Sequence, residues 1–195
     1  KQRKAYVNKI PYAAQTYFGI ADRTISIPWL RLENDGRLFT GAYGLPVELT
    51  CKNTENGYII VQKPVRELMQ QAKQTAYDSV AGEKMLSFGK DKKAAVLIMR
   101  AKEDYKGSYA WEFNGSTIAY NPEIGTFGVD GEQYQIGCGY QEFLFVVDDR
   151  ILEVFFDGGR QLGTFVLKNT AVQIKIPNEA AFAENLVYYI EGGNT

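Results

Sequence analysis

The 195-residue chain contains no histidine, and this absence excludes several classes of active site at once. Serine and cysteine nucleophiles are most often activated by a histidine base, and many protein zinc sites use histidine ligands. The sequence therefore excludes Ser-His and Cys-His catalytic pairs and histidine-ligated zinc. No acidic stretch has the spacing of an EF-hand calcium loop, so we expect no metal site.

Cysteine is almost as scarce, because Cys51 and Cys138 are the only two. Each lies in a strand-like apolar stretch, where a buried free thiol is the commoner state, so the sequence favours two unpaired thiols over a disulfide. Residues 125–131 are rich in glycine, but they do not open a helix after a strand and so fail the test for a dinucleotide-binding loop. We therefore expect no cofactor.

An excess of charge of one sign and long apolar runs are also missing. The net charge is −1 and no basic stripe appears, so we expect no nucleic-acid partner. No apolar run approaches the roughly 20 residues of a membrane-spanning helix. The chain begins with Lys1 and shows no signal peptide, so we expect the native N-terminus to lie upstream. Localisation cannot be read from this end, and an extracellular or periplasmic site is only slightly favoured over the cytoplasm.

Aromatic residues and glycine are plentiful, with 13 Tyr, 11 Phe, 2 Trp and 19 Gly. Strand-like segments rich in these aromatics recur along the chain, with Gly, Asn, Asp and Pro between them, which predicts an all-β fold. The predicted strands cover residues 12–18, 24–32, 46–52, 58–63, 75–80, 84–88, 94–101, 109–113, 116–120, 125–129, 133–137, 172–176 and 186–191, with three more in residues 142–166.

Residues 142–166 form a predicted three-stranded meander. Asp157-Gly158-Gly159 suits a tight turn, because Asp-Gly and Gly-Gly tolerate the positive φ that such turns require. The middle strand is apolar on both faces apart from Glu153, as expected for a strand covered on both sides. We therefore predict a concanavalin-like β-sandwich of two antiparallel sheets.

The first four predicted strands form a smaller meander, which is the unit of a β-propeller blade. One blade cannot bury both of its faces alone, so we interpret residues 1–64 as a remnant blade. Val65, Leu68 and Met69 share a helical face just after Pro64 and predict a short helix within residues 65–74. Its length favours a packed linker over a hinge. Residues 75–195 then form the sandwich.

Acidic residues of the 142–166 meander are the first candidates for chemistry. Glycosidases need two carboxyl groups, and Asp148, Asp149 and Glu153 lie near one another in the sequence. Arg150 and Arg160 are available as partners. A salt bridge at a sheet edge is therefore favoured over a sugar-contacting cluster, and a sugar-contacting cluster over catalysis.

The two tryptophans are candidate platforms for sugar stacking. Trp29 and Trp111 both lie in apolar strand-like segments, however, and core packing is favoured for each.

Five stretches carry a resemblance to a known family. They are Tyr-Ala-Ala-Gln-Thr-Tyr at 12–17, Asp-Arg-Thr-Ile-Ser-Ile-Pro-Trp-Leu at 22–30, Gly-Leu-Pro-Val-Glu-Leu-Thr at 44–50, Val-Gln-Lys-Pro-Val-Arg-Glu-Leu at 61–68, and Asp-Asp-Arg-Ile-Leu-Glu-Val-Phe-Phe-Asp-Gly-Gly at 148–159. In order and spacing they resemble glycoside hydrolase family 32. The first four are similar to strands of that family's last propeller blade, and the fifth is similar to the signature of its C-terminal β-sandwich.

This resemblance implies part of a retaining β-fructosidase, such as an invertase, levanase or inulinase. The family's aspartate nucleophile, glutamate acid/base and third acidic residue lie in Trp-Met-Asn-Asp-Pro, Glu-Cys and Arg-Asp-Pro motifs upstream of the Tyr-Ala-x-Gln strand. None of these motifs occurs here, so the resemblance assigns no catalytic residue to this chain. It implies that Tyr12 and Gln15 approach the sugar pocket and are candidate substrate contacts.

Two functions follow as hypotheses. In the favoured one, the chain is the C-terminal part of a hydrolase of sucrose, levan or inulin, and its sandwich supports an upstream propeller without being catalytic. In the alternative, the sandwich is a fructan-binding carbohydrate module, with sugar contacts from Trp111, Tyr134, Arg150 and Glu153. Both hypotheses name fructose-containing carbohydrate as a partner.

Overall fold

The computed structural model describes residues 4–34, 36, 40–75, 79–80, 83–87, 92–170, 173–176 and 181–191, and its strands confirm the all-β prediction. The α-helix among these residues is α1 (Arg66–Gln71), and a short 3-10 helix covers Asp157–Gly159. The strands are β1 (Pro11–Thr16), β2 (Thr24–Leu30), β3 (Ala42–Tyr43), β4 (Val47–Thr54), β5 (Gly57–Pro64), β6 (Lys73–Thr75), β7 (Ser79–Val80), β8 (Glu83–Ser87), β9 (Lys92–Ala101), β10 (Tyr109–Phe113), β11 (Ser116–Asn121), β12 (Thr126–Val129), β13 (Glu132–Gln135), β14 (Glu142–Asp148), β15 (Ile151–Phe156), β16 (Gln161–Val166), β17 (Gln173–Ile176) and β18 (Phe182–Glu191).

These strands form three antiparallel sheets. The blade sheet has the order β1-β2-β4-β5, with β3 paired to β2. The outer sheet has the order β13-β12-β11-β10-β17-β8-β7, and the inner sheet has the order β16-β15-β14-β9-β18-β6. The outer and inner sheets make the predicted sandwich, and the blade sheet is the predicted meander of four strands with one short strand added.

The main core lies between the outer and inner sheets. Alternate side chains of strands such as β10, β11 and β14 point into it, because successive residues of a strand face opposite sides. Trp111 of β10 packs against Phe143 and Phe145 of β14, with ring centroids 5.3 and 5.0 Å apart. Burying each large apolar side chain contributes roughly 1.5–3 kcal/mol, so this aromatic layer is a major source of stability.

A second apolar cluster lies between the inner sheet and the blade sheet. Val96, Val146, Phe155 and Leu162 of the inner sheet pack there with Val47 of β4. The inner sheet is therefore covered on both sides. This explains why the meander strand β15 is apolar on both faces: one face meets the outer sheet, and the other meets the blade sheet.

The contact between the blade sheet and the sandwich, here called the seam, is tight at the predicted Asp157-Gly158-Gly159 turn. Gly159 has φ +91°, and a Cβ atom added there would lie 2.0 Å from the carbonyl oxygen of Gln62 on β5. The N-terminal segment strengthens the seam, because Val7 donates its N–H to the Leu162 carbonyl at 2.8 Å and Gln62 donates from Nε2 to the Ala5 carbonyl at 2.8 Å. The segment thus bonds to both β5 and β16.

Two predicted strands differ from the structure by more than two residues at an end. A single strand at 75–80 was wrong, because β6 ends at Thr75 and pairs with β18 in the inner sheet, whereas β7 begins at Ser79 in the outer sheet. The strand predicted at 186–191 begins earlier, at Phe182, because polar residues and a register shift between Phe182 and Glu184 interrupt its apolar alternation. The predicted strand ends at Phe88 and Val172 lie outside the described residues.

The predictions for the two cysteines are confirmed in part, and the prediction of a short helix is confirmed. Cys51 and Cys138 are unpaired, as predicted, but both are exposed, so the expectation of burial was wrong. Helix α1 lies where the 65–74 pattern placed it. Among the described residues, no helix has the length and apolar character needed to cross a membrane. The domain boundaries at residues 64 and 74 stay a prediction.

Candidate functional site

A cleft of about 1090 Å³ opens where the blade sheet meets the sandwich. One wall comes from the chain around and after β2, at residues 31–34 and 40–46. The other wall comes from the β12–β13 hairpin and the β14–β15 turn. Three of the four residues predicted to contact sugar on the sandwich, Tyr134, Arg150 and Glu153, line this cleft.

Glu153 lies at the back of the cleft and is only 4% exposed. Its Oε2 atom accepts the N–H of Leu45 at 2.8 Å, which ties the sandwich to the blade sheet. Its Oε1 atom has no hydrogen-bond partner among the described residues, and neither has the hydroxyl of Thr164, the residue paired with it on β16. The predicted salt bridge of this carboxyl is therefore wrong: its polar partner is a backbone N–H.

The surroundings of Glu153 change its acidity. Burial raises the pKa of its carboxyl to about 7; the hydrogen bond from Leu45 lowers that pKa, the charge of Asp148 raises it, and the neighbouring Thr164 hydroxyl lowers it. From the N-terminal segment, the nearby Tyr6 has a raised pKa, first because it is buried and second because of the charge on Glu153. Glu153 is thus a carboxyl that is readily protonated near neutral pH.

Tyr134 and Arg150 lie on the sandwich wall of the cleft. The Tyr134 ring packs edge-on against Phe165 with centroids 5.2 Å apart, and its hydroxyl donates to Glu132. Burial raises the pKa of Tyr134 to about 12, and Glu132 adds to this effect. Arg150 follows Asp149, whose φ is +52°, in the β14–β15 turn and donates from Nε to the Leu167 carbonyl at 3.3 Å.

Trp111 lies in the main core and not in the cleft. It is 1% exposed, and its Nε1 donates to the sulfur of Met99 at 3.1 Å. No face of the ring is open to solvent, so core packing, the favoured interpretation, is the one that fits. For Trp29 the prediction of core packing was wrong, because this residue is 36% exposed on β2 and packs against Gly41.

Tyr12 and Gln15 lie on β1, the edge strand of the blade sheet, and outside the cleft. A register shift between them, at Ala13 with φ +44°, inserts one extra residue into the strand. Their partners on β2 are Trp29 and Ile27, two residues apart, so the bulge brings both side chains to one face. Tyr12 is 54% exposed, and Arg31 lies 4.2 Å from its ring centre.

Sequence reasoning missed the blade wall of the cleft. Arg31 and Tyr43 line it but lie in or beside a connection between strands, where no periodicity marks a residue for a site. Tyr43 is 76% exposed, and a large exposed aromatic between two glycines, Gly41 and Gly44, is the one signal that could have identified it. The described residues hold no group of three or more acidic or cysteine ligands for a metal.

The sequence matches no protein-family model and no curated protein. Solved structures do match. A Bombyx mori GH32 β-fructofuranosidase is 18% identical, with a TM-score of 0.70, over 97% of this chain and 42% of its own. An exo-inulinase from Aspergillus awamori is 14% identical, with a TM-score of 0.76, over 96% of this chain and 44% of its own.

A glycoside hydrolase family 32 structure from Bifidobacterium adolescentis is also 14% identical, with a TM-score of 0.76, over 96% of this chain and 32% of its own. This chain therefore spans less than half of the length of each of these structures. The match extends over both the blade sheet and the sandwich. The chain thus has the fold of one part, less than half of the length, of these family 32 glycoside hydrolases. This confirms the predicted resemblance at the level of the fold.

Proposed function

We propose that this chain is the C-terminal, non-catalytic part of a glycoside hydrolase that acts on β-fructosides such as sucrose, levan or inulin. One observation carries the proposal: a blade-like sheet and a β-sandwich occur in one chain, and solved structures that share both include a β-fructofuranosidase and an exo-inulinase. The sequence motifs at 12–17, 22–30 and 148–159 support the same family independently of the fold.

In this proposal the sandwich supports the propeller to which the blade sheet belongs. The inner sheet buries one face of the blade sheet through Val47 and its apolar neighbours. On the other face Tyr12 pairs with Trp29, and both remain partly open to solvent. The upstream propeller domain of the same polypeptide is the partner that would cover this open face, because a single blade leaves apolar surface without neighbours.

Tyr12 and Gln15 are the proposed substrate contacts of the assembled enzyme. The bulge at Ala13 turns both toward one face at the free edge of the blade sheet. An edge strand with a bulge is a common place for a protein to direct side chains into a site. Tyr12 offers an aromatic ring, and Gln15 offers an amide that can both donate to and accept from sugar hydroxyls.

The test is the coding sequence that precedes Lys1. We expect it to encode a Trp-Met-Asn-Asp-Pro-type segment, an Arg-Asp-Pro segment and a Glu-Cys segment in that order, because these carry the carboxyl groups that glycoside hydrolysis needs. An upstream sequence that contains none of these three segments would overturn the proposal.

A further inference from the structure

We propose that the cleft between the blade sheet and the sandwich binds an uncharged oligosaccharide, and that both parts of the molecule form its site. The sandwich alone supplies only one wall. The choice of fructans as the first sugars to test rests on the proposed function; the existence of the site does not.

The size of the cleft indicates an extended ligand. Its volume of about 1090 Å³ is slightly above the roughly 300–1,000 Å³ of ordinary small-molecule pockets. A single sugar ring would leave most of this space to solvent. Several linked rings could contact the wall near Tyr43 and the wall near Tyr134 at the same time.

The charge of the cleft indicates that the ligand carries no anionic group. The guanidinium groups that line it belong to Arg31 and Arg150. The acidic residues lining it outnumber them: Glu33, Glu132, Asp148 and Asp149, besides Asp130, which pairs with Lys168 at 2.7 Å, and the buried Glu153. This excess of carboxyl groups repels phosphate and sulfate esters. Carboxylates instead accept hydrogen bonds from hydroxyl groups, which a neutral sugar supplies around every ring.

Two tyrosines provide the apolar contacts that sugar rings need. Tyr134 is held in place by the edge-on contact with Phe165 and by its hydrogen bond to Glu132, so little of its freedom would be lost on binding. Tyr43 on the opposite wall is 76% exposed and presents its ring to solvent. An aromatic ring with a polar edge on each wall suits a ligand that has both C–H faces and hydroxyl groups.

Glu153 fixes the distance between the two walls. Its hydrogen bond to the Leu45 N–H joins the blade wall to β15, and the ideal Cβ position of Gly44 lies only 3.1 Å from its other oxygen. This contact lies behind the cleft, where Glu153 is almost fully buried. Glu153 is therefore a positioning residue for the site, and a pre-formed cleft of this kind binds with a smaller ordering cost.

The test is isothermal titration calorimetry of the 195-residue chain with inulin-derived and levan-derived oligosaccharides. We expect saturable binding at sugar concentrations up to the millimolar range that changes little with salt, because the ligand is uncharged. Tyr43→Ala and Glu132→Gln should each weaken it about tenfold, the effect of losing one central contact. Tyr58→Ala is the matched control, because Tyr58 is 77% exposed on β5 and lies outside the cleft lining; Glu123→Gln serves in the same way for the acidic residue.

Three results would overturn the site: no binding of any neutral oligosaccharide at millimolar concentration, binding unchanged by Tyr43→Ala and Glu132→Gln, or binding only of a lysine-rich peptide that salt abolishes. Malto-oligosaccharides provide a separate comparison. If they bind with the same sensitivity to Tyr43→Ala while the fructans do not, the site stands, and the β-fructoside substrate class of the proposed function is contradicted.

Discussion

At the scale of single residues, Glu153 joins two parts of the molecule through one buried carboxyl group. Oε2 is occupied by the Leu45 N–H, while Oε1 and the Thr164 hydroxyl lack partners. Since the chain has no histidine, Glu153 is the described side chain expected to change its charge near neutral pH.

This carboxyl should make stability depend on pH. Its pKa is about 7 in the folded chain, above the ordinary 4.5 of glutamate, so folding favours the protonated form. The stabilising contribution is fully present below pH 4.5 and is lost as pH rises through 7, by up to about 3 kcal/mol. Urea unfolding from about pH 5 to 8 should therefore show falling stability, and Glu153→Gln should remove most of the fall.

The control for this measurement is Glu112→Gln, which changes a half-exposed carboxyl paired with Lys175 at the far sheet of the sandwich. It should leave the pH dependence between pH 5 and 8 as in the unaltered chain. If Glu153→Gln shows the same slope as the unaltered chain, the assignment of that slope to the buried carboxyl is wrong.

Sequence reasoning reached one wall of the cleft and missed the other for a physical reason. The sequence pattern predicts the strands and turns that carry Tyr134, Arg150 and Glu153. Each could therefore be selected as a polar or aromatic residue of the sandwich. Arg31 and Tyr43 reach the cleft because the blade sheet docks on the inner sheet. Docking of two sheets depends on contacts between residues that are far apart in the chain. Such contacts produce no local pattern in the sequence, so they could not be predicted from it.

At the scale of elements, the turn between β15 and β16 is shaped by its contact with the blade sheet. Asp157, Gly158 and Gly159 all have positive φ, as the Asp-Gly-Gly sequence predicted. Gly159 has a second constraint, since it lies against the Gln62 carbonyl of β5. A tight turn could be expected from the sequence, but the approach of another strand to that turn could not.

Gly159→Ala should therefore destabilise the chain more than its backbone angle alone requires. A positive φ costs alanine about 1–2 kcal/mol, and displacing a packed strand adds about 1–3 kcal/mol, so we expect a loss of about 2–5 kcal/mol. Gly131→Ala is the matched control, because Gly131 has the same φ of +91° but nothing within 4 Å of an added Cβ. Thermal unfolding of both variants gives the comparison, and equal losses would contradict the seam contact.

The elements also show where the apolar pattern of the sequence is a sufficient guide. β14 and β15 appear within the predicted meander because each is a continuous run of strand-forming, mostly apolar residues bounded by turns. The predicted strand at 75–80 was wrong because the chain passes there from the inner to the outer sheet. Periodicity marks residues that prefer extended backbone, but a change of sheet within one extended segment does not alter the pattern.

At the scale of the whole molecule, three sheets are stacked so that the inner sheet is buried on both sides. The two apolar clusters share strands β9, β14, β15 and β16 of the inner sheet. The blade sheet therefore packs on the sandwich through one of its faces. Because the clusters share these strands, loss of one cluster should weaken the other, and we expect the blade sheet and the sandwich to unfold together.

Probes in the two parts can test this cooperativity. In Trp29→Phe, the remaining Trp111 reports on the main core of the sandwich, where it is fully buried. In Cys138→Ser, a dye on the exposed Cys51 reports on β4 of the blade sheet. Denaturant unfolding followed by the two signals should give coincident midpoints once small stability differences between the variants are corrected. Two well-separated midpoints would show that the blade sheet unfolds independently.

The measurement that tests the central claim most directly is fructose release from sucrose, inulin and levan. We expect the full polypeptide encoded by the gene to release fructose, and the 195-residue chain alone to release none, because it carries none of the motifs that hold the family's catalytic carboxyl groups. A full polypeptide that releases no fructose from any of the three sugars, or release by the 195-residue chain alone, would contradict the account.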